Sequence, residues 1–518
     1  MRNFKTSVSA LALGAVLSTS LILGGCGKKD KPKKVEITKV ETRKVDNAEA
    51  EKALKLMGLS ESGSGDVKWA DRKGESGNYI FSNFEAETKK GNPGVLGTLE
   101  LKGVHMEGDQ PVFDQILFND FASTEDDGTE VKFKNFTLTE PSPALAAAFS
   151  NAFNGDEDAF DDIDGDISFK AMAFSGLNVK SEEGVITLKN INLGQDISEM
   201  GYFTLNGLNL DINDDGKKIK MNLDSIDATG VNINKYKGLM KSSMENEGKI
   251  DDDAMAQIMS SMNPYDPDFK DFSLKNFTMD VEGMKIKLDS MTGTTKKKGG
   301  KVIMSQIMSP LTITPPGSTE DKDMKEFVEG LAELGYDKLE FTWDQNSVLD
   351  EKTDTMVVKD SYIELKDGFK LSFDYDMAGY GAAMSKIQGL DGKASKNPMA
   401  VMGAMSDFKF NHLRLALEDN SIIDRSFKLA AKQQGGTPDA LRQQAKMGLA
   451  FLPMMAKDEA QQKVAGDLSA ALGKLLDDGG TLTIDFSPEE AIDMATIMQG
   501  SMGGQLDVSK LGLTIETK

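Results

Sequence analysis

Cysteine is almost missing from this chain: Cys26 is the single one in 518 residues. A lone cysteine excludes an internal disulfide framework and any thiolate-rich metal centre. Histidine and tryptophan occur twice each. His105 and His412 lack a second histidine or a cysteine at ligand spacing, which argues against a zinc or iron site. The text holds no G-x-S-x-G elbow, Walker loop or dinucleotide fingerprint. Positive charge is also scarce, with 60 Lys and Arg against 83 Asp and Glu, for a net charge of -23. So acidic a body repels nucleic acid, whose binding depends on cations that displace counterions from phosphate. Beyond Gly25 no stretch is long and uncharged enough to span a bilayer.

The one long apolar run stands at the start. Arg2 and Lys5 precede an uncharged stretch from Val8 to Gly25, the layout of a secretory leader. It ends in Leu23-Gly24-Gly25-Cys26, which resembles the lipobox of bacterial lipoproteins: an aliphatic residue, small residues, then cysteine. The resemblance implies cleavage between Gly25 and Cys26 and lipid on the Cys26 thiol. Loss of the leader takes Arg2 and Lys5 with it and changes the net charge from -23 to -25. The Lys- and Pro-rich text after Cys26 reads as a solvated tether. Gly27 follows the cysteine, and under the Gram-negative sorting rule a residue other than Asp there favours the outer membrane.

The rest divides by texture. Residues 1–25 are the leader, and 26–45 the lipidated cysteine and basic tether. Residues 46–404 form a repetitive β-rich body with inserted helices, and 405–518 a helix-rich terminal module. Helices are expected after Ser142-Pro143, over 251–262 and over 319–334. The last module is expected to place them after Ser421, Thr437-Pro438, Asp458 and Ser487-Pro488. Short alternating segments between Gly, Asn and Asp read as antiparallel strands.

Those strands share a six-residue pattern, apolar at the first, fourth and sixth places, with a turn-tolerant residue third. It reads LKGVHM at 101–106, FKNFTL at 133–138, FSGLNV at 174–179, LKNINL at 188–193, LNGLNL at 205–210, LKNFTM at 274–279 and FNHLRL at 410–415. LDSIDA at 223–228 and LDSMTG at 288–293 are weaker copies. In a flat strand, first and fourth residues face opposite ways. A one-residue bulge at the third place, in the left-handed conformation that Gly and Asn tolerate, returns both to one face. The expected fold class is therefore α+β: a large, curled antiparallel β-sheet of bulged repeat strands with a helix-rich C-terminal module.

The C-terminal text SIIDRSFKLAAKQQGGTPDALRQQAK, then GGTLTIDFSPEEAI and LGLTIE, is similar to a module of uncharacterised, secreted proteobacterial proteins. The L-x-N-L-x-L strands resemble the elongated sheets of AsmA-like envelope proteins, which are linked to lipid transport. Neither resemblance carries a site residue.

Asp211, Asn213 and Asp215, with Gly216 after them, match the first half of a calcium loop. The twelfth place holds Asn222 where such loops need Glu, and Asn-Asp-Asp-Gly between strands is first a hairpin turn. The 29 methionines cluster at 255/259/262, 304/308, 399/402/405, 454/455 and 494/498/502. Spacings of three and four place them on helix faces, as flexible core or as a surface that adapts to apolar ligands; Cu(I) is the metal thioethers would take. The expected function is a membrane-anchored cell-envelope lipoprotein without enzymatic activity, facing the periplasm. It is read as a structural scaffold or a carrier of lipids or other apolar ligands, with no cofactor and no nucleic-acid partner. A hydrolase acting through acidic residues is one alternative, a calcium- or copper-binding envelope protein another. Cys26→Ala should abolish metabolic palmitate labelling and leave the leader uncut, whereas label on that variant would refute the lipobox.

Overall fold

The computed structural model describes residues 43–63, 67–86, 94–125, 127–156, 167–195, 201–214, 217–231, 269–318, 322–388, 408–456, 458–501 and 507–518. It also describes positions 159, 160, 163, 165, 265, 403 and 406. The chain is mostly strand, and a 20-stranded sheet takes in all but one short two-stranded ribbon. Every described pairing is antiparallel. Contacts divide the chain into two compact units, one ending within a strand at Asn276, the other resuming at Phe277.

The first unit opens with helix α1 (Asn47–Leu56), whose first turn is capped by the Asp46 carboxylate. Strands β1 (Val67–Lys68), β2 (Asp71–Glu75), β3 (Asn78–Ala86) and β4 (Gly94–Lys102) follow. The ribbon is β5 (His105–Glu107) and β6 (Gln110–Val112), and β7 (Gln115–Thr124) and β8 (Glu130–Thr139) return to the sheet. Helix α2 (Pro143–Phe153) starts as its sequence predicts, with Ser142 as cap and Pro143 at the first turn. Then come β9 (Ala171–Lys180), β10 (Gly184–Gln195), β11 (Gly201–Asp214), β12 (Lys217–Val231) and the start of β13 (Asp271–Val281).

From β3 to β12 the strands build parallel rows of apolar side chains. One row pairs Phe81, Leu99, Phe118, Phe136, Phe174, Ile191, Leu205 and Ile226 across successive strands. Beside it on the same buried side lie the pairs Phe84–Leu96, Phe121–Phe133, Leu177–Leu188 and Leu208–Leu223. No member of either row is more than 8% exposed. Phe149 of α2 packs edge-on against Phe118 and Phe153 against Phe84. First and fourth residues of the repeat thus share the buried face, as the pattern requires.

The device that brings them there differs from a simple bulge. Between Asn119/Asn135 and Phe121/Phe133, both strands advance by the same count, and so do Leu188–Asn190 against Asn206–Leu208. Paired strands break their alternation together, at one level. At this level the left-handed residue falls on every other strand: Asn83 in β3, Asp120 in β7, Gly176 in β9, Gly207 in β11 and Asn276 in β13. At Gly207 a Cβ would lie 2.8 Å from the Lys189 Cβ, so both space and φ demand glycine. Asn135, Asn190, Ser225, Ser290 and His412 stay out of the left-handed region, contrary to expectation. The amides of Asn135 and Asn190 serve elsewhere, bonding Asn119, Ser175 and Asn206 across the outer face. Among the described residues the sheet is not strongly curled, contrary to the expectation from sequence. A bulge bends a sheet because one strand gains a residue over its neighbour, and at these paired breaks neither does.

In the second unit, β14 (Met284–Lys298) and β15 (Lys301–Thr314) precede helix α3 (Lys322–Glu333). β15 is not among the strands that alternation picks out, because Pro310 interrupts it, and the register with the next strand slips there. Strands β16 (Leu339–Asp350), β17 (Thr355–Leu365) and β18 (Phe369–Ala378) lead to helix α4 (Tyr380–Gln388) and β19 (Lys409–Asp419). Helices α5 (Ile422–Gln434), α6 (Pro438–Ala450) and α7 (Glu459–Asp478) form the helical part. Strand β20 (Gly480–Phe486), the short β21 (Ile492–Asp493), helix α8 (Met494–Ser501) and β22 (Leu513–Thr517) end the chain. The helix expected over 251–262 lies outside the described residues.

True bulges occur too: in the first unit β12 gains Gly230 against the end of β11, and the second unit holds more. β17 carries an extra residue against both neighbours around Asp360, whose φ is positive. The freed backbone is satisfied by side chains, with Asp374 accepting from the Asp360 N–H and Ser361 from the Asn346 N–H. β19 gains Asn411 against β18. Two expected helix starts are corrected. Ser421 makes no cap bond to its helix; the Asp419 carboxylate accepts from Ser421 and Ile423 instead, because its β19 position aims it at those amides. Ser487-Pro488 starts no helix, since Ile492 and Asp493 first pair with Phe410 and Lys409, and α8 begins after them. Arg425 donates to the terminal carbonyls of Leu334 and Gly335 and lies over the Tyr336 ring, tying α5 to the end of α3.

Phe118→Ala or Phe136→Ala should cost about 3–5 kcal/mol in denaturant unfolding, the range for a buried phenylalanine. Lys132→Gln, on an exposed side chain, should stay within about 0.5 kcal/mol. Gly207→Ala should cost about 1 kcal/mol or more although it adds one methyl, because φ there is +64°.

Candidate functional site

The second unit builds apolar rows of its own, but they are not sealed. One runs Met291, Met308, Trp343, Ile363, Leu371, Leu417 and Leu482 across β14 to β20, each paired with the next. Strand alternation places these side chains on one face with Leu365, Phe369 and Phe373. Clusters close the face on both sides. Leu331, Tyr336 and Leu365 form one, with Leu334, Phe341, Phe369 and Ile422 against it. Val302, Leu349, Met356 and Val358 form the other, with Tyr265, Phe373, Tyr375 and Tyr380 against it. A third, Ala471, Leu475 and Leu482, ends the row under α7.

Met291, Met308, Trp343, Ile363 and Leu371 belong to none of these three clusters. They stay half-buried, and Trp343 is 37% exposed. The result is a strip floored by thioether, indole and aliphatic groups. Its sides are held firmly. Asp354 accepts from the Tyr265 hydroxyl and from the Gly381 and Ala382 amides at the start of α4. Burial and that carboxylate together push the Tyr265 phenol well above its ordinary pKa, so it stays a neutral donor. The strip offers apolar contact without a charged group in its floor, which suits acyl chains or other apolar matter.

Gly25, Cys26 and Asp215 lie outside the described residues. Asp211 and Asn213 sit on β11, on the exposed side, and the Asp211 carboxylate pairs with Lys220 at 2.9 Å. A hollow of about 680 Å³ opens there, lined by Glu182, Val185, Leu210, Asp211, Asn213, Lys220 and others. Among the described residues no cluster of three or more His, Cys, Asp and Glu is arranged to hold a metal, and no helix is long and apolar enough to cross a membrane. His105 bonds Arg43 and the Gly103 carbonyl.

His412 lies 3.3 Å from Asp485. Burial opposes ionisation of Asp485, but bonds from Ser487 and His412 and the Arg414 charge outweigh it and hold the carboxyl below its usual range. The Ser487 hydroxyl bonds the carboxylate, not the imidazole. That order is wrong for activating serine, whose proton must pass to histidine.

The methionines divide. Met304 and Met308 lie on strand β15, not on a helix face. Met454 and Met455 are 76% and 78% exposed, which overturns the core reading for them. Clusters at 255/259/262 and 399/402/405 and Met502 lie outside the described residues. The strip itself escapes local reading, because each strand contributes one residue and only cross-strand register unites them. Its single sequence signal is the strict alternation of Phe369, Leu371, Phe373, Tyr375 and Met377.

A family model described as "Uncharacterized protein" matches residues 362–518. That span contains all three C-terminal segments that carry the resemblance. No match is found among curated proteins. Because Lys220 already neutralises Asp211, calcium or a chelator should leave the melting temperature unchanged; a calcium-dependent rise of several degrees would restore the metal loop.

Proposed function

We propose that this protein is a membrane-anchored cell-envelope lipoprotein without enzymatic activity, facing the periplasm, that holds lipid acyl chains or similar apolar ligands on the strip of its second unit. The leader and the lipobox at Cys26 support export and anchoring, and Gly27 favours the outer membrane as its place. One observation carries the ligand reading. Rows of the same construction are closed to solvent in the first unit, yet half-open at Met308, Trp343, Ile363 and Leu371 in the second. A plain scaffold gains by sealing both, since each fully buried large apolar side chain is worth roughly 1.5–3 kcal/mol. The likeness to AsmA-like envelope sheets points the same way.

Lipid should be extracted with the purified protein and be identifiable by mass spectrometry. Trp343 emission should shift to the blue when a fatty acid is added to delipidated protein, while Trp69 in the first unit stays unchanged. Ile363→Asp should weaken that binding by about tenfold or more, equivalent to about 1.4 kcal/mol or more. If no lipid is extracted and Trp343 is insensitive to added fatty acid, the carrier reading falls and a scaffold remains.

A further inference from the structure

A second apolar surface lies on the helical part, and it is convex. Helix α6 ends at Ala450, a short 3-10 turn (Leu452–Met455) follows, and α7 starts beyond it. Met447 and Phe451 are each 60% exposed, and Met454 and Met455 more than 75%. Side chains open to that degree stand out from the surface, so they cannot enclose a small molecule. From Gln443 to Ala456 one residue is charged, Lys446, in a chain that is 28% charged. Even that charge is turned back, with its Nζ 2.6 Å from the Asp477 carboxylate.

We infer that this tip, Met447, Phe451, Met454 and Met455, inserts into the interfacial layer of the bilayer and fixes how the anchored protein stands on it. The inference rests on the lipoprotein reading above. Three arguments select a membrane as the occupant. First, a stretch whose one charge is paired is complementary to hydrocarbon, while the acidic remainder of the chain is repelled by anionic head groups. Second, Phe and flexible Met side chains fit disordered acyl chains, and short apolar elements sink roughly 5–10 Å into the head-group boundary. Third, the chain between Cys26 and Arg43 spans at most about 60 Å. It therefore keeps the body beside the membrane but leaves its orientation free. The anchor sets the distance and the tip sets the attitude.

The test uses the full, lipidated chain. With the Cys26 thiol in a thioether, Met455→Cys carries the one free thiol and takes an environment-sensitive fluorophore. Gln433→Cys on α5 is the control. On reconstitution into phosphatidylethanolamine–phosphatidylglycerol vesicles, the probe at 455 should shift to the blue. Its quenching by aqueous iodide should fall several-fold, with the probe at 433 unchanged. Equal behaviour of the two probes overturns the inference. So does shielding of the probe at 455 before vesicles are added, which marks contact with a second copy. Intact mass reports the anchor separately: an unlipidated chain takes two labels, and its probe at 455 is then read with vesicles added in excess. Phe451→Gln with Met454→Gln should leave the melting temperature within a few degrees and remove protection of the probe at 455.

Discussion

A β-strand turns successive side chains to opposite faces, and the first unit depends on breaking that rule at one level across the sheet. Phe118 and Phe121, Phe136 and Phe133, Leu205 and Leu208 share a face only because each strand shifts phase between them. A single strand that failed to shift would put one apolar member into water and one polar residue into the core. The break is therefore collective, and its polar residues gather on the outer face. There Thr98, Asn119, Asn135 and Ser175 bond in sequence, and Asn190 bonds Asn206. These bonds join side chains that face each other only when register is correct, so the outer row fixes what the inner rows require. Helix α2 then needs only to lay Phe149 and Phe153 on a face already formed.

That arrangement was half-legible in the chain. The spacing of first and fourth apolar residues is local, so strand positions and their shared buried face can be read from it. The capping residues Ser142, Thr437 and Asp458 are equally local, and each caps its helix. What depends on a neighbour is hidden. Whether a break is a bulge or a paired shift turns on the count in the adjacent strand. Which strand takes the left-handed residue turns on where Lys134 and Lys189 lie, over Gly176 and Gly207. Ser421 looks like a cap, yet Asp419 takes the role from its place at the end of β19. Pro310 hides β15, because a missing donor reads as a break when it sits at a register slip.

The two units use one vocabulary and spend it differently. In the first, the paired shifts at the level of the apolar rows add no residue to one strand over its neighbour, so helix and loop aromatics can close the face evenly. In the second, the extra residues near Pro310, Asp360 and Asn411 change strand lengths relative to their neighbours. Helices then cover the face at separate places, α3 and α5 near Leu365 and Phe369, α7 near Leu482. Between the clusters the row from Met291 to Leu371 is left half-covered.

An isolated exposed leucine needs no explanation, since more than half of a folded surface is apolar. A contiguous row is different. Met308, Trp343, Ile363 and Leu371 are adjacent through strand pairing, so their exposed halves form one surface, not scattered points. Leaving half of each uncovered forfeits on the order of 1 kcal/mol per residue, and over the row that approaches the whole margin of a small domain's stability. Polar substitutions at these places would remove the liability without disturbing the strands, whose ladders are backbone bonds. The proposed ligand would return the forfeited energy on binding. The proposal calls for an apolar ligand, because the floor of the strip presents no charge to pair with.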